Sequence, residues 1–347
     1  MVPGARLVLT LDMSVLVLGG TAWLGGYITQ SALEGGQQVT CLARGESGSV
    51  VGGAAFVEAD RTQPGAYDEV TSGVGWDVVV DVSRQPGQVR DAAAALADHS
   101  AAFIFVSSGN VYADHSVPGQ DEGAALLPAL DGDVMESMET YGEAKVACEQ
   151  YVLEAFGPDR ALIVRAGLIG GPGDIFGRTG YWPHRFAYPA TEDGRVLVPD
   201  AHGLATQVID VRDLAAWIVE CGKGGVSGIF NAMGETLPLP QHLQVARKVA
   251  GHSGPVVAAS QEWLLAQGVE PWMGERSLPL WLPEPEDAGF NARDSSAARA
   301  AGLLTRPLAE TLADVLAWEL TKDPALPRRS GLTRDDERHL LDMLAAG

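Results

Sequence analysis

The sequence predicts an α/β fold, a doubly wound parallel sheet followed by a smaller C-terminal cap. Two observations carry this. The first half alternates short apolar runs with helical patterns, and beyond residue 170 that alternation gives way to glycine, proline and aromatic residues. Ser14–Leu18 is a short apolar run suited to burial on both faces, and Trp23–Glu34 has helical periodicity and stops at Gly35-Gly36. Gln38–Leu42, Ala55–Glu58 and Asp77–Val82 are the next three strands, followed by an alanine-rich helix over Gln88–Ala97. Phe103–Val106 is the fifth strand, Tyr141–Phe156 a helix and Ala161–Val164 the sixth strand. Apolar strands alternating with helices make a parallel sheet covered on both faces.

Later segments are less regular. Gly170–Pro183 reads as a long loop, Val208–Cys221 as a helix, Gly228–Asn231 as a strand and Leu237–Ala250 as a helix. Residues 255–290 hold Trp263, Trp272 and Trp281 among several prolines and read as a cap of discontinuous pieces. Glu310–Glu319 is an amphipathic helix; Lys322–Gly347 reads as a solvated tail with a final helix. The expected division is residues 13–170 for the sheet domain, with 205–232 returning to it. Residues 171–204 and 233–325 form the cap, and 326–347 the tail.

Bulk composition excludes several classes. A formal charge of −21 argues against a nucleic-acid partner, which needs clustered Lys and Arg, but leaves room for a small anion held by local amides. The three cysteines, Cys41, Cys148 and Cys221, are widely spaced and odd in number, so buried reduced thiols are expected rather than disulfides. No His-Glu-x-x-His arrangement occurs, and no metal site is expected. The apolar run Leu7–Leu18 is broken by Asp12 and leads into a glycine turn, unlike a signal peptide; residues 1–12 read as an extra arm. With no stretch long enough to span a bilayer, the expectation is a cytoplasmic protein without membrane association.

The first strand runs into Gly19-Gly20-Thr21-Ala22-Trp23-Leu24-Gly25, which opens the first helix. Gly19 suits a tight turn, Ala22 is small enough for a pyrophosphate to approach, and Gly25 lets helix and sheet close up. The helix start supplies unpaired N–H groups for the phosphates. The second strand ends at Arg44, where a site preferring NAD usually carries an acidic residue for the ribose 2′-hydroxyl. A cation there suits a 2′-phosphate, so NADP(H) is expected ahead of NAD(H). Asp60, after the third strand, is placed to meet the adenine or else to cap the next turn.

After the fifth strand comes Ser107-Ser108-Gly109-Asn110-Val111-Tyr112, and further on Tyr141-Gly142-Glu143-Ala144-Lys145. Tyr141 and Lys145, at i and i+4, face one side of a helix. Carbonyl reduction needs an acid for the developing alkoxide as hydride arrives. A phenol near pKa ~10 is poor at that task until a neighbouring ammonium favours its ionised form. Ser108 is the candidate for a second hydrogen bond to the substrate oxygen.

These motifs, with Arg165-Ala166-Gly167-x-x-Gly170-Gly171-Pro172 and Gln207-x-x-Asp210-Val211-x-Asp213, occur in an order that resembles the extended short-chain dehydrogenases, often labelled NAD-dependent epimerase/dehydratases. The resemblance spans roughly residues 14–320. It implies a Rossmann domain and a C-terminal substrate-binding cap, with Ser108, Tyr141 and Lys145 as the catalytic set. It places Gly19, Thr21, Ala22, Trp23, Leu24, Gly25, Arg44, Asp60, Ser83, Lys145, Ala166 and Gly167 against the cofactor, and Gln207 and Asp210 near the substrate-side junction. The helices Gln88–Ala97 and Tyr141–Phe156 commonly pair two subunits in this family, which implies a homodimer. Three departures from the family pattern matter, the first being Ala22 at the middle glycine of the family's turn, as in its atypical and reductase-like branches. Sugar-nucleotide dehydratases carry an Asp-Glu pair directly after the catalytic Ser or Thr; here those positions are Gly109 and Asn110, which disfavours dehydration. Arg44 replaces the acid typical of NAD-retaining epimerases, which favours a reductase.

The aromatic loop adds Trp182 and His184, which with Asn110 and Gln207 are the candidates for contacting a small-molecule substrate; the alternative for the aromatics is the cap's own core. The expected function is therefore NADPH-dependent oxidoreduction of a carbonyl or secondary alcohol. Alternatives are a sugar-nucleotide epimerase with tightly held NAD(P) and a non-catalytic NADP-sensing regulator.

Overall fold

The computed structural model describes residues 13–283, 285–323 and 328–346. The proposed arm at residues 1–12 and the prolines at 324 and 327 therefore lie outside the described residues.

The chain begins with β1 (Ser14–Leu18), α1 (Trp23–Glu34), β2 (Gln38–Ala43), β3 (Ala55–Glu58), the short α2 (Asp68–Thr71) and β4 (Trp76–Asp81). It continues through α3 (Pro86–Leu96), β5 (Ser100–Ser108), α4 (Tyr141–Phe156), β6 (Ala161–Ala166), β7 (Leu168–Gly170) and α5 (Arg178–Ala187). Then come β8 (Val196–Pro199), β9 (Ala205–Asp210), α6 (Val211–Gly224) and β10 (Gly228–Ala232). Seven parallel strands form the main sheet in the order β10-β6-β5-β4-β1-β2-β3. β1 is flanked by β2 on one side and β4 on the other, so the strand order reverses there and a crevice opens beyond its carboxyl end.

Side-chain alternation explains the two covered faces. Val15, Val17, Val78, Val80 and Val106 point to one side and meet buried residues of α1 and α6. Leu16, Leu18, Val79, Phe103 and Phe105 point to the other and meet α3 and α4. Both sets are almost fully buried, as expected of strands apolar at every position.

The cap follows the sequence reading less closely. Where a long loop was expected, residues 168–170 form a strand and Arg178–Ala187 a helix, with Pro183 inside it. Propensity is overridden by packing: Tyr181, Trp182 and Phe186 on that helix are buried in the cap core with Trp281, Leu340 and Leu341. The expected helix from Val208 is split into β9 and α6, because Asp210 caps α6 by accepting from the Arg212 amide. The expected helix from Leu237 likewise starts later, β11 (Thr236–Pro238) preceding α7 (Leu239–Val249). Residues 256–279 contribute β12 (Val256–Ala259), α8 (Gln261–Ala266), β13 (Glu270–Trp272) and β14 (Ser277–Pro279).

α9 (Ser296–Ala300), α10 (Leu308–Glu319) and α11 (Arg334–Ala346) complete the chain. The run expected to be a solvated tail is docked. Glu337 is fully buried, its carboxylate 2.9 Å from Arg185 Nε and accepting from the Leu197 amide at 2.8 Å. Leu340 and Leu341 of α11 face the cap together with Glu337, while Arg334, Asp335 and Arg338 stay exposed.

Burial also sets an acid limit on stability. His242 on α7 is fully buried and its pKa is pushed down from 6.5 to about 4. Burial pushes His115 and His184 down to about 4 as well. The unfolded chain binds these protons first, so stability is expected to fall as pH drops from about 6.5 towards 4. Urea midpoints across that range check this: His242→Leu should flatten the slope, and an unchanged slope in that variant would contradict it.

Candidate functional site

The glycine turn meets the sheet as the sequence requires. A Cβ on Gly25 would lie 2.2 Å from the Gly19 carbonyl oxygen, so only glycine lets α1 start this close to the end of β1. Among the described residues no side chain caps α1, and its first turn carries no acidic residue. Its leading amides therefore remain available to an anion. Gly19, Thr21, Ala22, Arg44, Asp60 and Ser83 share the lining of a cavity of about 130 Å³ at this position. Trp23 and Leu24 lie just inside the helix, and Trp23 Nε1 donates to the Pro172 carbonyl at 2.8 Å, which Tyr27 also holds. That contact lays the loop after β7 across the first turn of α1.

Arg44 sits at the cavity rim, 56% exposed, with an ion pair to Glu46 at 3.1 Å. Asp60 also lines the cavity, but its carboxylate accepts from the Thr62 amide and hydroxyl at 2.9 and 2.8 Å. Those bonds hold its pKa below the ordinary carboxylate value, and they make it a turn-capping residue in this structure.

Sequence reasoning missed the floor of the cavity. Arg61 and Asp81, both buried, pair through two hydrogen bonds of 3.0 and 2.6 Å. Arg61 also reaches the Tyr67 hydroxyl, the Gln88 carbonyl and the Ser83 hydroxyl. No short motif joins residues 20 apart, so this pair is visible only once the turn after β3 has folded back towards the carboxyl end of β4.

Lys145 connects the cavity to the candidate proton-transfer residues. Its side chain is 3% exposed, and Nζ donates to the carbonyls of Ser83 at 2.6 Å and Val106 at 2.7 Å. The same ammonium lies 6.0 Å from the centre of the Tyr141 ring and 4.6 Å from that of Phe105. Tyr141, half-buried, is the first residue of α4. A Cβ on the following Gly142 would lie 2.4 Å from the Asn110 carbonyl oxygen, so that glycine lets α4 press against the turn after β5. Ser108 on that turn donates to Asn110 Oδ1 at 2.9 Å and accepts from the Asn110 amide at 3.2 Å. Ser108 also pairs in register with Ala166 on β6, and the Gly167 amide donates to Ala232. The structure thus gathers Ser108, Asn110, Tyr141, Lys145 and Ser83 at the carboxyl ends of β4 and β5.

Beneath Ser108 lies a second network that the sequence did not reveal. The Ser107 hydroxyl donates to Glu149 Oε1 at 2.5 Å, and Arg165 grips both carboxylate oxygens of Glu149 at 3.0 and 2.8 Å. Arg165 continues to the Tyr112 hydroxyl at 3.2 Å, which donates to Asn231 at 2.6 Å. Burial raises the Tyr112 pKa, so its hydroxyl stays a donor. Arg165, which precedes Ala166 and Gly167 in their motif, is 2% exposed and ties α4 to β6.

Four residues expected on the substrate side are placed elsewhere. Trp182 is fully buried and its Nε1 donates to the Pro279 carbonyl, so it is cap core. His184 lines a cavity of about 580 Å³ with Phe176, Arg185, Tyr188 and Arg334, and neither Ser108, Tyr141 nor Lys145 lines it. Burial and then the nearby cations Arg328, Arg185, Lys322 and Arg334 push its pKa to about 4, leaving it neutral. Gln207 is 2% exposed and clamps the Arg293 backbone, accepting from its amide and donating to its carbonyl. Asp210 is occupied by Arg212 and Thr311. Periodicity cannot tell a pocket-lining aromatic or amide from a core one, and here tertiary packing made Trp182 and Gln207 core.

The model of the NAD dependent epimerase/dehydratase family matches residues 15–221. No curated protein matches the chain significantly. Solved structures do. A putative epimerase from Burkholderia cenocepacia is 20% identical, with a TM-score of 0.68 over 89% of this chain and 99% of that one. UDP-N-acetylglucosamine 4-epimerase from Bacillus cereus is 17% identical, with a TM-score of 0.64 over 90% and 99%. UDP-glucose 4-epimerase from Thermus thermophilus, solved with NAD, is 17% identical, with a TM-score of 0.60 over 90% and 100%.

Proposed function

The chain belongs to the NAD-dependent epimerase/dehydratase family, and from that premise we propose a nicotinamide-dependent oxidoreductase acting on a carbonyl or secondary alcohol. The observation that carries it is the position of Lys145. One ammonium is bound to the Ser83 carbonyl on the wall of the glycine-turn cavity and lies over the Tyr141 ring. The residues fit a dinucleotide: uncapped α1 amides for the pyrophosphate, Ala22 and Gly25 for close approach, and Arg44 and Asp60 at the far rim. Bound there, the nicotinamide supplies or accepts a hydride.

The chain's own residues manage the proton. Tyr141 gives a proton to the substrate oxygen on reduction, or takes it on oxidation. The charge on Lys145 stabilises the negative charge then left on the phenol oxygen. Ser108 Oγ turns from Asn110 to the substrate oxygen and holds it in place. Gly109 and Asn110 supply neither the acid nor the base that water elimination needs, which sets dehydration aside.

NADPH is the preferred donor in this proposal. Arg44 has an exposed partner in Glu46, and such surface pairs are worth only about 0–1 kcal/mol. A ribose 2′-phosphate would displace Glu46 at little cost. Calorimetric titration checks this: Arg44→Ala should weaken NADPH binding roughly tenfold and leave NADH nearly unchanged. Equal losses for both would remove the argument. A sugar-nucleotide epimerase is the second reading, supported by the epimerases of the same fold. It predicts dinucleotide that co-purifies with the protein and is released only on denaturation; protein free of dinucleotide after purification speaks for the reductase.

A further inference from the structure

Arg178 opens α5, directly after the loop that Trp23 holds across the glycine turn. Its guanidinium carbon lies 5.4 Å from the Phe176 ring centre and 5.0 Å from that of Trp272. Its Nε is buried and, among the described residues, has no hydrogen-bond partner. Nor does any described carboxylate form an ion pair with it. Asp174, on the same loop, is 1% exposed and already accepts from the Phe176 amide at 2.9 Å and the Thr179 hydroxyl at 3.3 Å. Asp174 acts on Arg178 through space but forms no hydrogen bond with it among the described residues, and a guanidinium between two rings with its buried Nε unpartnered is unfavourable unless a ligand supplies an acceptor.

Trp272 adds an independent sign. It is one of two non-glycine residues in the left-handed region among the described residues, with φ of 67°. A bulky residue rarely adopts that conformation, and such strain concentrates at binding sites. Here it sets the indole against Arg178, where the edge of Phe290 holds it with ring centres 5.4 Å apart. Burial pulls the Arg178 pKa down, and Asp174 first and then Tyr141 lie close enough to oppose that pull electrostatically.

We propose that Arg178 receives an oxyanion carried by the substrate, a carboxylate or phosphate a few bonds from the carbon served by Tyr141. A planar guanidinium between two ring faces offers two parallel N–H donors to such a group and keeps water from competing. The substrate class is then hydroxy or oxo acids, or the corresponding phosphates, rather than neutral ketones. This rests on the oxidoreductase reading for the identity of the reacting carbon. The oxyanion site itself stands on Arg178, Phe176 and Trp272.

The test uses dinucleotide-loaded protein and matched probes: 2- and 3-oxo carboxylates, their methyl esters, and oxoalkyl phosphates. Binding is read by calorimetry and turnover by loss of reduced-nicotinamide absorbance. The carboxylates or the phosphates are expected to bind roughly ten- to hundredfold more tightly than the esters, and which of the two leads identifies the group. Arg178→Met should erase that preference without lowering the thermal midpoint, since it breaks no hydrogen bond or ion pair among the described residues. Arg178→Lys, which keeps the charge but loses the fork, should keep only part of it. Equal binding of acids and esters, or a preference that survives Arg178→Met, overturns the proposal. Tight oxyanion binding with no hydride turnover leaves Arg178 in its role and removes the oxidoreductase reading; turnover of esters and acids alike does the reverse.

Discussion

Tyr141→Phe is expected to lower kcat by about a thousandfold, the middle of the range for loss of a positioned acid–base group, while dinucleotide binding stays within about twofold. The two halves of this expectation come from separate parts of the structure. The phenol hydroxyl is the only group removed. The half-buried ring remains beside Lys145, whose hydrogen bonds go to backbone carbonyls and not to the phenol. The wall of the dinucleotide cavity should therefore be undisturbed. Lys145→Met should differ, because the two carbonyls it satisfies at the ends of β4 and β5 would be left without a donor. That variant is expected to lose dinucleotide affinity as well as turnover. Steady-state kinetics and calorimetry on both variants check the split. Full turnover in Tyr141→Phe would remove Tyr141 from the chemistry.

The second large effect is on stability. Glu149→Leu is expected to destabilise the fold by roughly 3–5 kcal/mol, because it leaves Arg165 buried and unpaired. The side chains of this pair are 2% and 3% exposed, so water cannot take the place of the carboxylate. The Ser107 hydroxyl loses its acceptor in the same change. The double variant Glu149→Leu, Arg165→Met removes both charges and should regain most of the loss, since the penalty lies in the orphaned cation and not in the missing attraction. Urea unfolding of the single and double variants measures it. A loss of under about 1 kcal/mol for Glu149→Leu would mean that the pair carries no such penalty.

Much of the sheet domain was legible because its information is local. The strand Ser14–Leu18 and the helices Trp23–Glu34 and Tyr141–Phe156 fall where periodicity and glycine stops place them. The glycine turn, Ser108, Tyr141 and Lys145 stood out by their spacing, and the structure brings them to the carboxyl ends of the strands. The pairs Arg61–Asp81 and Arg165–Glu149 were not, since each joins elements that become neighbours only after the sheet has formed. The cap hid more. Pro183 and the surrounding glycines pointed to a loop, and burial of Tyr181, Trp182 and Phe186 made a helix instead. The charged run 334–339 pointed to solvent, and Glu337 turned inward to Arg185. The rings on either side of Arg178 come from segments nearly a hundred residues apart, which no local pattern joins.

The central claim, that Tyr141 and Lys145 serve a hydride transfer, is tested most directly with NADPH deuterated at the nicotinamide C4. Incubated with the protein and a panel of oxo compounds, with products read by mass spectrometry, the wild type should place deuterium on the former carbonyl carbon of at least one product. Tyr141→Phe should place almost none in the same time. Deuterium in no product, or equal amounts from wild type and variant, would contradict the account.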